Sequence, residues 1–249
     1  MLPFPQRKKD IKMNNKDSLY IVIPAYNEEE NIRQVVEDWY PVVDTRSGES
    51  RLVIVNDGSK DNTLNVIKNL QTDRPKLIVL DKENGGHGST ILFGYHYALE
   101  QGAEYIFQTD SDGQTFASEF DQFWDERARY DMLIGYRNHR EDGFSRIVVT
   151  KVLKLVIRLC FHVKVTDANT PYRLMKASVL KDEIRMVPKD FFLSNVLITV
   201  LFTRHLRSIK YIPITFRPRQ GGVNSINLKR IFKIGRQSLK DFKELNRRI

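Results

Sequence analysis

The chain has 249 residues, 41% of them hydrophobic, a formal net charge of +9 at pH 7 and one cysteine. This suffices to bury a sizeable core as one large or two small domains. The lone Cys160, in the apolar stretch LVIRLCFHV, excludes an internal disulfide and a cysteine metal cluster; it reads as a small buried side chain in a protein of a reducing cytoplasm. The charge is uneven: from residue 204 onward there are 13 Lys or Arg against two acids, an excess of 11, which leaves residues 1–203 at −2.

In chain order, MLPFPQRKKDIKMNNKD lacks the apolar stretch of a signal peptide and reads as a flexible tail over 1–17, with Met13 as a second candidate start. LYIVIPAY is a buried-strand run. NEEENIRQVVEDWYPVV then places Ile32, Val35, Val36, Trp39 and Val43 at helical spacing, with Asn27 as N-cap and Glu30 completing a capping box. The alternation continues with RLVIVND as strand, DNTLNVIKNLQ as helix, KLIVLDKE as strand, STILFGYHYALEQG as helix and EYIFQTD as strand. Apolar strands alternating with short helices predict βαβ units and an open, mainly parallel α/β sheet covered on both faces.

In such sheets, ligands bind at the carboxyl ends of the strands. Here the strands run into PAYNE, NDGS, KENGGHGS and TDSDGQ, four polar loops on one edge. Asp110 and Asp112 stand one residue apart in the last. In an extended segment both would point to the same side, and two carboxylates that close need a cation. The first loop lacks the glycine triplet of a dinucleotide fingerprint, and no glycine-rich loop ends in Lys-Ser or Lys-Thr as in a P-loop. The glycines of NGGHGS serve a turn or a close approach to ligand.

Further along, VVTKVLKLVIRLCFHV is read as a core helix, with a lipid-facing groove as the alternative. The most apolar stretch, residues 191–203, is shorter than the roughly 18–20 residues of a membrane span. The basic tail, 226–249, spaces Leu228, Ile231, Phe232, Leu239, Phe242 and Leu245 as an amphipathic helix, to lie on an anionic membrane surface or to pack on the body. Without an aromatic stacking platform, nucleic acid is not an expected partner. No His/Cys spacing suggests zinc, and His87 and His162 read as structural or donor-side polar groups.

IVIPAYNEEENI, VIVNDGSKDNT, NGGHGS, TDSDGQ and DANTPYRLM, in this order, resemble the family 2 glycosyltransferases of the GT-A fold, above all the soluble catalytic domain of polyprenyl-phosphate mannosyl- and glucosyltransferases. The resemblance covers about residues 18–225, taken as the catalytic domain. It implies inverting transfer of a sugar from a nucleotide donor, UDP favoured over GDP or dTDP, to a polyprenyl phosphate or a cell-surface glycan. Pro24 and Tyr26 would wall the nucleobase, Glu28 would sit near the ribose, and Asp57 would accept from a base N–H. Asp110 would approach ribose and metal, and Asp112 would hold Mg²⁺ or Mn²⁺ against the diphosphate. Arg137 and Arg219 would face the diphosphate, Arg219 and Ser225 from a closing glycine-containing loop. Asp167 would lie near the acceptor, with a helix N-cap as its alternative role, and Arg173 would support its loop.

Two positions depart from the family pattern. Asn56 stands where an aspartate is usual. Asn195 stands where an acid is often found, which leaves Asp190, otherwise an N-cap, as the substitute base. A phosphate acceptor is already ionised and needs less help from a base, which favours polyprenyl phosphate and a peripheral position on the inner face of the cell membrane. The competing functions are a sugar-1-phosphate nucleotidyltransferase, which the acidic PAYNEEEN loop opposes, and a non-catalytic nucleotide-binding scaffold.

Overall fold

The computed structural model describes residues 17–46, 48–137, 144–217, 242 and 246, and for 137 and 144–150 the backbone alone. Among the described residues the apolar runs form seven strands: β1 (Leu19–Ala25), β2 (Arg51–Asp57), β3 (Leu77–Lys82), β4 (Tyr105–Gln108), β5 (Met132–Arg137), β6 (Arg173–Lys176) and β7 (Ile209–Ile214). They make one sheet in the order β3-β2-β1-β4-β6-β5-β7. Only β6 runs against its neighbours, β4 and β5; the other pairings are parallel. The helices are α1 (Ile32–Asp44), α2 (Thr63–Gln71), α3 (His87–Glu100), α4 (Asp121–Glu126), α5 (Phe144–Phe161), α6 (Ala177–Glu183) and α7 (Ser194–Arg204).

Side chains alternate across each strand, so the sheet feeds two cores. Leu19, Ile21 and Ile23 of β1 join Ile32, Val35, Val36 and Trp39 of α1, while Tyr20 and Val22 join Ile91 and Tyr95 of α3 and Leu197 and Leu201 of α7. Trp39 also meets an aromatic cluster of Phe107, Phe120 and Tyr172, ring centroids 5.2 to 6.3 Å from its own. The α/β sheet with helices on both faces agrees with the sequence expectation.

Two local expectations are corrected, and one strand is new. The first helix begins at Ile32 and is capped at Asn31, not Asn27, which sits at φ +54. Asn27 is drawn into a loop contact: its side chain accepts from Lys60 N (2.8 Å) and its N–H donates to Ser59 Oγ (3.0 Å). Strand β4 stops at Gln108, so Asp110 and Asp112 lie on a turn, and extended-chain alternation is not what brings them together. The short antiparallel β6, inserted between β4 and β5, had no counterpart in the sequence reading.

No helix among the described residues is long and apolar enough to cross a membrane. The tail expected over 1–17 lies outside the described residues except for Asp17, whose carboxylate binds the buried Arg127 at 2.9 Å. The helix expected over 226–249 lies outside them except for Phe242 and Asn246. Phe242 is buried against Phe161 and Phe191, and Asn246 Oδ1 accepts from Arg204.

Candidate active site

Strand order reverses between β1 and β4: the chain steps outward from β1 to β2 and β3, then returns to β1's other side. Such a switch point leaves a crevice beyond the carboxyl ends of the two strands. Pro24 falls in this end of β1, beyond the last β1–β4 pair, Val22 with Gln108, so its missing N–H withdraws nothing from β4. Tyr26 follows it, exposed at the rim.

The loops after β1 and β2 are laced together. Besides the Asn27 contacts, Glu28 N donates to Thr63 Oγ1 (2.8 Å), Glu29 N to Asp61 Oδ2 (3.2 Å), and Asn62 N to Glu29 Oε2 (2.8 Å). The Glu28 carboxylate accepts from Asn31 Nδ2 at 2.8 Å. Glu28 is thereby fixed at the start of α1.

Asp57 is buried at the end of β2, in register with Lys82 on β3. Its Oδ1 accepts from Lys82 Nζ (2.6 Å) and Gly85 N (2.9 Å), and its Oδ2 from Gly86 N (2.9 Å). Burial alone would raise the Asp57 pKa, but the Lys82 ammonium and the loop N–H groups outweigh it and hold the carboxyl below its usual value. Asp57 therefore fastens the glycine loop, a task the sequence reading missed. The in-register Lys82 was the available signal. Beside it, Asn56 Nδ2 donates to Asp81 Oδ1 (2.7 Å), while its buried Oδ1 has no partner among the described residues.

The fastened loop sets the start of α3. Gly86, at φ +83, caps the helix, and a Cβ on Gly88 would overlap the carbonyl oxygens of Phe191 and Phe192. Helix α3 is thus pressed against the segment that leads into α7. At its first residue, His87 Nε2 lies 3.0 Å from Asp110 Oδ1. Burial lowers the His87 pKa, but the Asp110 charge and hydrogen bond prevail and raise it. Asp112 Oδ1 accepts from Gln114 N (3.1 Å), closing the turn that carries both aspartates. Gln114 is tied to the far end of the domain: its carbonyl accepts from Arg217 N (2.8 Å), and its side chain donates to Arg217 O (3.2 Å).

Asp167 Oδ1 accepts from Asn169 N (3.1 Å) and Thr170 N (3.2 Å), which shapes its own loop rather than capping a helix. The fully buried Arg173 holds that loop by Ala168 O and Thr170 O, and ties it to Asn195 O and Thr199 Oγ1 of α7. Asn195 is buried, and among the described residues both ends of its amide are without partners. Asp190 is exposed on the turn before α7, whose N-cap is Leu193. Among the described residues no hydrogen bond or ion pair connects Asp190 to the loop cluster. Arg137 ends β5, its side chain outside the described part, and Arg219 and Ser225 lie outside the described residues.

Among the described residues there is no group of three or more His, Cys, Asp or Glu fit to hold a metal. The donor set on the turn is the carboxylate pair Asp110 and Asp112. Two hard oxygen donors suit Mg²⁺ or Mn²⁺, which hold water and phosphate oxygens in their remaining positions. The residues fit a metal brought to the site with a diphosphate better than one caged by protein alone.

A family model described as glycosyl transferase family 2 matches residues 20–183. A dolichyl-phosphate beta-glucosyltransferase of Trichomonas vaginalis is 29% identical over 160 residues, 59% of this chain and 46% of that protein. The polyprenol monophosphomannose synthase of Mycolicibacterium smegmatis is 26% identical over 216 residues, 83% of this chain and 80% of the relative. The chain therefore spans under half of the first relative and four-fifths of the second. Among solved structures, the glucosyl-3-phosphoglycerate synthase from Mycobacterium tuberculosis, in complex with Mn²⁺, UDP-glucose and phosphoglyceric acid, superposes with a TM-score of 0.64 at 15% identity, over 92% of this chain and 80% of that one. At that identity the likeness establishes the GT-A fold alone.

Proposed function

The chain belongs to glycosyl transferase family 2, and from that premise we propose that it moves a sugar, with inversion, from a nucleoside diphosphate donor to a polyprenyl phosphate. UDP is the first choice of nucleotide. The observation that carries this reading is the Asp110–Asp112 turn at the β1/β4 switch point, beside the N-terminus of α3. The solved complex of the mycobacterial synthase with Mn²⁺ and UDP-glucose supports it, as do the dolichyl phosphate and the polyprenol monophosphomannose in the names of the two curated relatives.

Asp110 and Asp112 would hold Mg²⁺ or Mn²⁺, which supplies charge neutralisation for the leaving diphosphate. The positive end of the α3 dipole, aimed by Asp57 through Gly85 and Gly86, favours the same negative charge. Tyr26 at the rim and Glu28, fixed by Asn31, would receive the nucleoside. An acceptor phosphate oxygen bonds to the anomeric carbon as the bond to the diphosphate oxygen breaks, and the nucleoside diphosphate departs with the electron pair. The attacking oxygen is already ionised, so no proton need be removed. That agrees with Asn195 in place of an acid, and it leaves Asp190, exposed on the turn before α7, with no proton that it must accept.

The test is donor consumption by the full chain with Mn²⁺ and a panel of UDP- and GDP-sugars, with and without a short-chain polyprenyl phosphate. One donor should be consumed only when the lipid phosphate is present, yielding an acid-labile glycosyl phospholipid. Transfer to a glycan but not to the lipid phosphate would overturn the acceptor assignment. Asp190→Asn should change the rate less than about threefold; a loss of a hundredfold or more, as general-base removal gives, would restore Asp190 as a base.

A further inference from the structure

Helix α5 is apolar on two sides. One side packs inward through Ile157, Cys160 and Phe161, with Leu153 and Val156 partly buried. The other exposes Val152, Leu155 and Leu159, at 52, 56 and 65%. At 3.6 residues per turn these three fall within a sector of about 60°. A neighbouring sector of similar width carries Lys151, Lys154 and Arg158, and the helix sequence, FSRIVVTKVLKLVIRLCF, contains no acid at all. An exposed leucine needs no explanation, but an exposed apolar stripe bordered by cations alone does.

We infer that this face of α5 docks on an anionic lipid surface, the apolar stripe entering the headgroup boundary and the cations meeting lipid phosphates. Charge complementarity selects this occupant, since a protein partner would have to match three apolar side chains flanked only by positive charge. The basic C-terminal segment is a poor candidate for the stripe on charge. Its described residues also go elsewhere: Phe242 meets Phe161, about 200° around the helix from Leu159, and Asn246 meets Arg204 on α7.

Membrane contact is thereby assigned to the body of the fold, on the helix for which the sequence offered a lipid-facing groove as the alternative to a core role. The inference rests on the polyprenyl phosphate reading for its purpose, because that acceptor must be met at a bilayer. From Phe161 at the end of α5, ring contacts run through Phe242 to Phe191; the next residue, Phe192, is half-exposed, and its carbonyl covers Gly88, next to the His87 that meets Asp110. The inward side of the helix that bears the proposed docking face is thus joined to the candidate site by a short series of contacts.

The test is co-sedimentation of the full chain with vesicles of phosphatidylcholine containing phosphatidylglycerol, at low and high salt. The wild type should bind the anionic vesicles and release in salt. Leu155→Glu/Leu159→Glu should weaken binding at least about tenfold, and Lys151→Gln/Arg158→Gln should weaken it about tenfold and flatten its salt dependence. Both should keep any UDP- and Mn²⁺-dependent thermal shift of the wild type. Undiminished vesicle binding by either variant would overturn the inference, and the Lys/Arg variant decides if the glutamate variant fails to fold. A wild-type dimer that the glutamate variant splits, without vesicles, would instead assign the stripe to a second copy. Vesicle binding as expected with no nucleotide shift in the wild type would leave the docking face standing and remove the enzymatic reading.

Discussion

Two carboxylate–histidine pairs lie at opposite ends of the sheet, and they behave differently. Where β4 ends, Asp110 meets His87 at 3.0 Å, with the carboxylate 28% exposed. Where β5 and β7 begin, Glu183 meets His205 at 2.6 Å and Arg207 at 2.8 Å, with the carboxylate only 1% exposed. Glu183 is shut in by partners on both oxygens and clasps α6 to the turn between α7 and β7. Asp110 stays open to a ligand, next to Asp112 and a helix N-terminus. An acid beside a histidine is therefore no mark of function; the mark is exposure at the carboxyl edge of the sheet, at the switch point.

The contrast can be broken most forcefully at the open end. Asp112→Asn should reduce transfer by about a hundredfold to a thousandfold while leaving the melting temperature nearly unchanged, as assays and thermal melts on one preparation will show. Gly88→Ala forces a methyl group into the Phe191 and Phe192 carbonyls, so urea unfolding should register a loss of about 3 kcal/mol, with transfer impaired as α3 is displaced. At the closed end, Glu183→Gln should cost about 2 kcal/mol in the same experiment, yet leave transfer per folded molecule untouched. Lost activity in that variant would show that the two ends are not independent.

The smallest effect is expected at Lys82. Asp57 has a depressed pKa, so its contribution to stability is present above the unfolded value, about 3.9, and is lost as pH falls through the lower folded value. In Lys82→Met burial acts without its main opponent, so the Asp57 pKa rises and the stability its charge contributes near neutral pH shrinks. Melting temperatures followed from about pH 6 to pH 3 should differ most at pH 6 and converge as pH falls, because the wild type then loses the contribution that the variant lacks. Parallel curves would mean that the loop N–H groups alone sustain the Asp57 charge.

Much of the fold was legible because β1 to β4 repeat one unit, an apolar run followed by a helix of 3.6-residue period. β6 was not, because four residues, RLMK, are too few to show a period and no sequence rule announces an antiparallel insertion. The start of α1 was misplaced because Asn27 satisfies the composition of an N-cap while its side chain is claimed by Lys60, 33 residues away. At the site, TDSDG announced the carboxylates. The partnership of Asp110 with His87 spans 23 residues and depends on how far the glycine loop lets α3 approach, which no local pattern encodes. Asp57 was singled out for a nucleobase, and the structure adds the intramolecular task of holding Lys82, Gly85 and Gly86.

The most direct test of the central claim is a thermal-shift comparison of the wild type and Asp112→Asn with UDP, GDP and dTDP, each with and without Mn²⁺. A ligand that binds only the folded state raises its stability by RT ln(1 + [L]/Kd). One nucleoside diphosphate should stabilise the wild type only when metal is present and should fail to stabilise the variant. Equal shifts without metal, or no shift with any diphosphate, would contradict the claim that the Asp110–Asp112 turn holds a metal for a nucleotide.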